Sequence, residues 1–452
     1  MSRMNRRDFL LNSGAATALL AATPGAAFSQ VVGGGGGFSD YRALVCVFLH
    51  GGNDSFNMIV PRSDAEYNAY AAARQNLAIA QTDLLALTPA IPDVVDYGLH
   101  PSMAGLRGLF NSGSAAIVNN VGPLIEPTTK DQYFNGSTLL PPQLFSHNDM
   151  QDQWQTLKGV GQSATGWAGR MADLIRTSVA NQLMATNASL FGANPFQSAD
   201  ETFAYVMGPT GPVPYVGFEP DPINLAQRDA FRAVIESRYN TVYERGFAAV
   251  QKRAIDAVDT VTGAISDPSL PAINTVFPQS PLGTQLNTVA RLINARDLLQ
   301  MQRQVFFVGI GGFDSHDNQN QDQPGLLGGI SDGLTAFYDA MVELGVSDSV
   351  TAFTQSDFGR TLTSNGDGTD HAWGGNQIVV GDAVLGQRLY GEYPVLQIGA
   401  EQDVGGGRMI PTTSADQYSA TLARWFGIDD TDLVVVAPNI NNFAARDLGF
   451  ML

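Results

Sequence analysis

Apolar runs of strand length recur along the chain and alternate with helical patterns, and this alternation restricts the fold more than any other feature. The runs are RALVCVFL (42–49), AAIVNN (115–120), QVFFVGI (304–310), SVTAFTQ (349–355), QIVVG (377–381) and PVLQIG (394–399). Nearly continuous apolar character, rather than strict alternation, suits strands covered on both faces. Helical patterns fall between them at PSMAGLRGLF (101–110), GWAGRMADLIRTSV (166–179), LLGGISDGLTAFYDAMVELG (326–345) and ADQYSATLARWFG (415–427). The order predicts an α/β fold: a mostly parallel central sheet with helices on both faces. In such sheets ligands gather beyond the carboxyl ends of the strands.

The middle of the chain departs from this rhythm. Residues 224–265 form a long, charge-laced helical pattern, and 282–301 form a second one after a Pro-rich break. We read an inserted helical hairpin at about 222–302, either a solvated scaffold or an arm that docks an extracytoplasmic protein partner. At 452 residues the rest accommodates a single large domain over 41–452.

The first 30 residues carry Arg6–Arg7 followed by Asp8, Phe9 and Leu10, then a mildly apolar Ala/Leu stretch and small residues at Ala26 and Ala27. This pattern is that of a twin-arginine export signal. A flexible Gly-rich leader at 31–40 follows it. The expected location is periplasmic or secreted, reached in the folded state, and no later apolar run has the roughly 20 residues needed to span a bilayer. With 25 Lys+Arg against 43 Asp+Glu the net charge is −18, which argues against nucleic acid as a partner. An anionic substrate would need local positive charge from arginines or metal ions. The single cysteine, Cys46, lies inside an apolar run, so neither a disulfide framework nor a thiolate metal cluster is available.

Five histidines occur, at His50, His100, His147, His316 and His371, and four strand-to-loop junctions carry Asp or His. His50 and Asp54 follow the first run in VFLHGGND, and Asp314 and His316 follow another in GGFDSHDN. Asp357 and Arg360 lie in SDFGRT, and His371 closes NGDGTDH. His147 stands in FSHNDMQDQW. A parallel sheet brings such junctions to one edge, and carboxylates with imidazoles are the ligand set for zinc, manganese or a mixed site without thiolates. Calcium is the alternative when oxygen ligands dominate. Arg360 can either balance a phosphate or sulfate by paired hydrogen bonds or pair with a protein carboxylate.

The ordered motifs VFLHGGND, YGLHPSM, VNNVGP, FSHNDMQDQW, GWAGR, GGFDSHDN, SDFGRT, GTDHAWGG and PTTSADQYSATLARWFG resemble the twin-arginine-exported family called domain of unknown function 1501. That family is similar to the alkaline phosphatase and sulfatase superfamily. The resemblance implies an alkaline-phosphatase-like fold and a metal-dependent hydrolase acting on a phosphate or sulfate ester, small or polymer-linked. It implies metal ligation by Asp54, Asp314, His316, Asp357 and His371. It also implies a nucleophile at Ser146, with Ser55 as competitor, beside His147, which either orients that hydroxyl or supplies a further ligand. Two departures stand out. Asp314 and His316 are closer in sequence than in the phosphatase pattern, and Phe358 stands where a second metal would expect His. A sulfatase with a modified nucleophile is disfavoured, since Cys46 is within a strand and no C-x-P-x-R stretch exists. The competing expectation is an extracytoplasmic binding or assembly protein that keeps the fold without catalysis.

Overall fold

A computed structural model describes residues 37–161, 163–181, 184–215, 217–218 and 221–452. The expected export signal and most of the Gly-rich leader lie outside the described residues. Phe38–Leu452 form one compact unit.

Among the described residues nine strands make the central sheet: β1 (Arg42–Leu49), β2 (Ala115–Gly122), β3 (Asn187–Ser189), β4 (Ala204–Val206), β5 (Arg303–Ile310), β6 (Val350–Ser356), β7 (Gly375–Val380), β8 (Leu389–Tyr390) and β9 (Thr413–Ser414). Their order is β8-β2-β7-β6-β1-β5-β3-β4, with β9 beside β2. Within this order β1 runs parallel to both β5 and β6, whereas β7 runs antiparallel to β6 and to β2. The sheet is therefore mostly parallel with one reversed strand.

Strand β1 shows why the runs are apolar throughout. Ala43, Val45, Val47 and Leu49 point into one core, and Leu44, Cys46 and Phe48 into another. The first core is closed by α1 (Ala104–Ser112) and by two later helices at Pro281–Asn294 and Gln319–Glu343. The second is closed by α2 (His147–Thr156), by α3 (Trp167–Ile175) and by a helix at Ala415–Phe426. Burial of both faces is the main stabilising term, at about 25 cal/mol per Å² of apolar surface removed from water.

Two expectations are corrected. PVLQIG is not a strand: Pro394 offers no amide hydrogen, Val395 and Ile398 face solvent, and only Pro394 and Leu396 are buried. The long pattern at 224–265 breaks into α4 (Pro222–Ile235) and α5 (Val242–Ile265), the second opened by a capping box from Thr241 and Glu244. Arg232 pairs with Asp256 and Asp259, and Lys252 with Glu236, so α4 and α5 lie antiparallel. The third helical segment, Pro281–Asn294, is not the other arm of this hairpin. Its Leu282, Leu286, Val289 and Ile293 are fully buried in the first core. Among the described residues no helix is long and apolar enough to cross a membrane.

Candidate metal centre

Three strand ends deliver side chains to one edge. Asn53 and Asp54 follow β1, Asp314 and His316 follow β5, and Asp357 follows β6. His371 reaches the same edge because β7 is reversed: the residues that precede it lie where the other strands end. A short ribbon of Arg360–Ser364 against Thr369–His371 sets Arg360 directly opposite His371. The turn after β1 requires glycine. Gly51 has φ +115°, and a Cβ there would stand 2.4 Å from the Asp314 amide nitrogen. Gly52, at φ +86°, would meet the Phe358 ring at 2.4 Å.

One carboxylate oxygen is the focus of the cluster. Asp314 Oδ1 lies 3.4 Å from His147 Nε2, 3.1 Å from His316 Nε2 and 3.3 Å from His371 Nε2. His316 Nε2 and His371 Nε2 are 2.9 Å apart. Arg360 Nη2 donates to the same oxygen at 3.0 Å. Candidate ligand atoms of His147, Asp314 and His371 all lie within 4.8 Å of one another.

The far ring nitrogens decide which atoms face inward. His371 Nδ1 donates to the Phe145 carbonyl at 2.7 Å, and His147 Nδ1 donates to Asp357 Oδ2 at 2.7 Å. Asp370 Oδ1 stands 3.4 Å from His316 Nδ1. With their protons committed outward, the neutral imidazoles turn lone pairs toward an oxygen that also only accepts. Such a set of facing acceptors repels itself unless protons or a cation lie among them. Imidazoles held through the second nitrogen by carboxylates and a carbonyl are the arrangement of zinc-ligating histidines. Tetrahedral zinc with ligands at about 2.0–2.1 Å separates those ligands by roughly 3.3 Å. His147, Asp314 and His371 fit one divalent ion, and His316 stands beside that trio.

The groups of the cluster also shift one another's protonation. The hydrogen bond that His147 donates to Asp357 raises the His147 pKa against the opposing effect of burial. Burial would raise the Asp314 carboxyl, but the Arg360, His147 and His316 charges hold it below its usual range. His371 is lowered by burial and by the nearby His147 and Arg360 charges. Arg360 is fully buried, and its Nε and Nη1 have no partner among the described residues. A buried guanidinium with two unused donors beside the cluster suits an anion placed there.

Not every expected ligand joins the cluster. Asp54 is turned away: Arg74 Nη2 donates to both of its carboxylate oxygens and Gln319 Nε2 donates to one of them. Asp54 and Arg74 are 1% and 0% exposed. A carboxylate matched by a fixed guanidinium has no need of a cation, so Asp54 is corrected from ligand to structural ion pair. Asp357 stands behind His147 rather than beside Asp314, and its Oδ2 also accepts from Gly51 N at 3.1 Å and Gln151 Nε2 at 2.9 Å. Phe358 packs its ring 4.8 Å from His147 and 4.6 Å from His371, forming an apolar wall.

Ser146 occupies the N-cap position of α2 without capping it. Its hydroxyl donates instead to Asp149 Oδ2 at 2.6 Å. Ser55 is buried and its Oγ accepts from Asn376 N at 2.7 Å. His50 stacks on Phe191 with ring centroids 5.1 Å apart, and His100 Nδ1 accepts from the Ser102 amide. Sequence reasoning did not single out Arg74 or Asp149. Asp149 lies within FSHNDMQDQW, whereas nothing near Arg74 marks it.

Residues 222–439 match the family model described as "Protein of unknown function (DUF1501)", the family that the motifs resemble. The matched stretch carries GGFDSHDN, SDFGRT and GTDHAWGG. No curated protein matches the chain in sequence. Among solved structures, Ps i-CgsB in complex with k-i-k-neocarrahexaose is similar at a TM-score of 0.35 and 8% identity, covering 87% of this chain and 74% of that one. The lipoteichoic acid synthase LtaP from Listeria monocytogenes is similar at a TM-score of 0.34 and 9% identity, covering 82% and 76%.

Proposed function

We propose that the chain is a hydrolase of phosphate or sulfate esters that works with one divalent ion, zinc or manganese, held by Asp314, His147, His371 and His316. The observation that carries this reading is the approach of three imidazole nitrogens and a buried arginine to a single oxygen of Asp314. When bound, the ion would supply Lewis-acid charge that polarises an ester oxygen. Everything else falls to side chains. Arg360 uses its unpartnered Nε and Nη1 to bind and orient the anionic group. Ser146, next to His147, is the nucleophile, and Asp149 accepts its proton across the existing hydrogen bond. As the Ser146 Oγ bond to phosphorus or sulfur forms, the bond to the alcohol oxygen breaks. The alcohol leaves with the proton that Asp149 took, passed on through water; a second water then adds to phosphorus or sulfur, breaks the bond to Ser146 Oγ and returns a proton to it, releasing the inorganic anion.

Turnover of aryl phosphates and aryl sulfates by the exported chain, with added Zn²⁺ or Mn²⁺, tests the reading. Activity lost in both Ser146→Ala and Asp314→Asn is the expected result. Absence of bound metal in the wild type overturns it.

A second reading is favoured by the Asp54–Arg74 pair, which removes one expected ligand from metal binding. In it the chain binds one ion and an anionic partner without turnover, and the helices α4 and α5 dock an extracytoplasmic protein. Metal bound at one ion per chain with no hydrolysis of any ester selects this alternative. Export by the twin-arginine route belongs to both readings, and cleavage near Ala27 in a secreted sample would support it.

A further inference from the structure

A cleft of about 370 Å³ opens beside the cluster, lined by His316, His371, Tyr133, Phe145, Val404 and Arg408. Its size is that of a site for a small ring-containing molecule. Arg408 Nε donates to the His371 carbonyl at 3.0 Å, and its Nη1 donates to the Gly405 carbonyl at 3.0 Å. Its guanidinium carbon lies 5.6 Å from the centroid of the Phe145 ring. Phe145 itself is held at φ +73°, a conformation that an aromatic residue adopts at a cost, and its carbonyl accepts from His371 Nδ1. The two residues thus brace each other and His371 in the lining of the cleft.

The remaining edge of Arg408 is unused: among the described residues no acceptor meets Nη2 and no carboxylate pairs with the side chain. Arg74 and Arg360, by contrast, are matched by Asp54 and Asp314. Asp370, the acid that also lines the cleft, faces His316 Nδ1. In a chain with a net charge of −18, an unmatched arginine on a cleft wall is a local site for an anion. A guanidinium fixed through two of its nitrogens loses little freedom when a third binds.

We propose that Arg408 forms a subsite for a second anionic group of the substrate, a sulfate, phosphate or carboxylate carried on a ring that stands between Tyr133 and Phe145. The inference rests on the ester-hydrolase reading for the place of the first anionic group. It makes the substrate class a ring bearing at least two negative charges, such as a multiply sulfated or phosphorylated sugar. Arg408 is then a specificity-determining residue.

The test is calorimetric titration of the zinc-loaded exported chain with two disaccharide probes, one carrying one sulfate and the other two. The wild type is expected to bind the disulfated probe roughly tenfold more tightly, the size of one charge-assisted contact. Arg408→Gln should abolish that preference, and Arg408→Lys should retain part of it. Zinc content and circular dichroism should match the wild type in both. Equal affinity for the two probes in the wild type, an undiminished preference in Arg408→Gln, or loss of zinc in both variants overturns the proposal, the last because Arg408 would then act only through His371. A wild type without zinc sinks the hydrolase reading instead, and the two-probe comparison remains readable on the metal-free chain.

Discussion

Arg74 and Asp54 form a buried ion pair in which one guanidinium nitrogen donates to both carboxylate oxygens, while Arg74 Nη1 donates to the Thr361 carbonyl at 2.9 Å. The pair joins the loop after β1 to the ribbon that carries Arg360. Removing either partner leaves an uncompensated buried charge, which costs about 3–5 kcal/mol. Arg74→Met should therefore lower the urea midpoint strongly, whereas the double change Arg74→Met with Asp54→Leu should recover part of the loss. A single variant as stable as the wild type contradicts the pairing.

Metal content follows from the same geometry. We expect one divalent ion per chain, measured by plasma emission spectrometry after gel filtration, and none in Asp314→Asn or in His371→Ala. Asp54→Asn should keep the ion while losing stability. Two ions per chain in the wild type would return Asp54 to the ligand set.

Asp357 fixes the ring of His147 through a 2.7 Å hydrogen bond. Partners of this kind contribute about 10–100-fold to metal affinity. Asp357→Asn should weaken zinc binding by that factor in a competition with a chromogenic chelator, with the far-ultraviolet circular dichroism unchanged. An unaltered affinity would falsify the role given to Asp357.

Gly51 carries the turn on which the cluster is built. Gly51→Ala places a Cβ against the Asp314 amide in a backbone conformation that alanine resists, at a cost of roughly 1–3 kcal/mol. Both thermal stability and zinc affinity should fall, because Asp314 must shift. A fall in stability alone would show that the turn is separable from the site.

A buried carboxyl far from this chemistry gives a pH test. Burial raises the Asp416 pKa to about 7, although hydrogen bonds from Asn439 and the charge of Arg170 oppose the shift. Its folded value lies above its unfolded value, so the folded state binds the proton more tightly. The resulting stability is fully present below about pH 4 and is lost as the pH rises through about 7. The wild type should lose on the order of 1–4 kcal/mol between pH 5 and pH 8 relative to Asp416→Asn, in parallel urea titrations. Parallel curves for the two proteins would exclude the effect.

Much of the fold was legible because local physics dictated it. The largely apolar runs at 42–49 and 304–310 fall on β1 and β5, strands buried on both faces, and 349–355 falls on β6 although Thr351, Thr354 and Gln355 are buried there too. The pattern at 415–427 fell on its helix, capped by Ser414 and ended by Gly427 in the left-handed region. The short strands β3 and β4 were not legible, because three residues carry too little pattern to separate from a loop. The segment at 281–294 was placed in an insertion because an amphipathic pattern does not say which surface its apolar side meets.

The sequence by itself determined that acids and imidazoles stand at the ends of buried strands, because apolar runs and glycine turns are local properties of the chain. Which of them meet was decided only by the tertiary structure. A reversed strand delivers His371, a helix start delivers His147, and Arg74 at the end of the helix Asp64–Arg74 withdraws Asp54. Distances of about 3 Å between residues separated by dozens or hundreds of positions depend on strand order and register, and a linear pattern does not encode them.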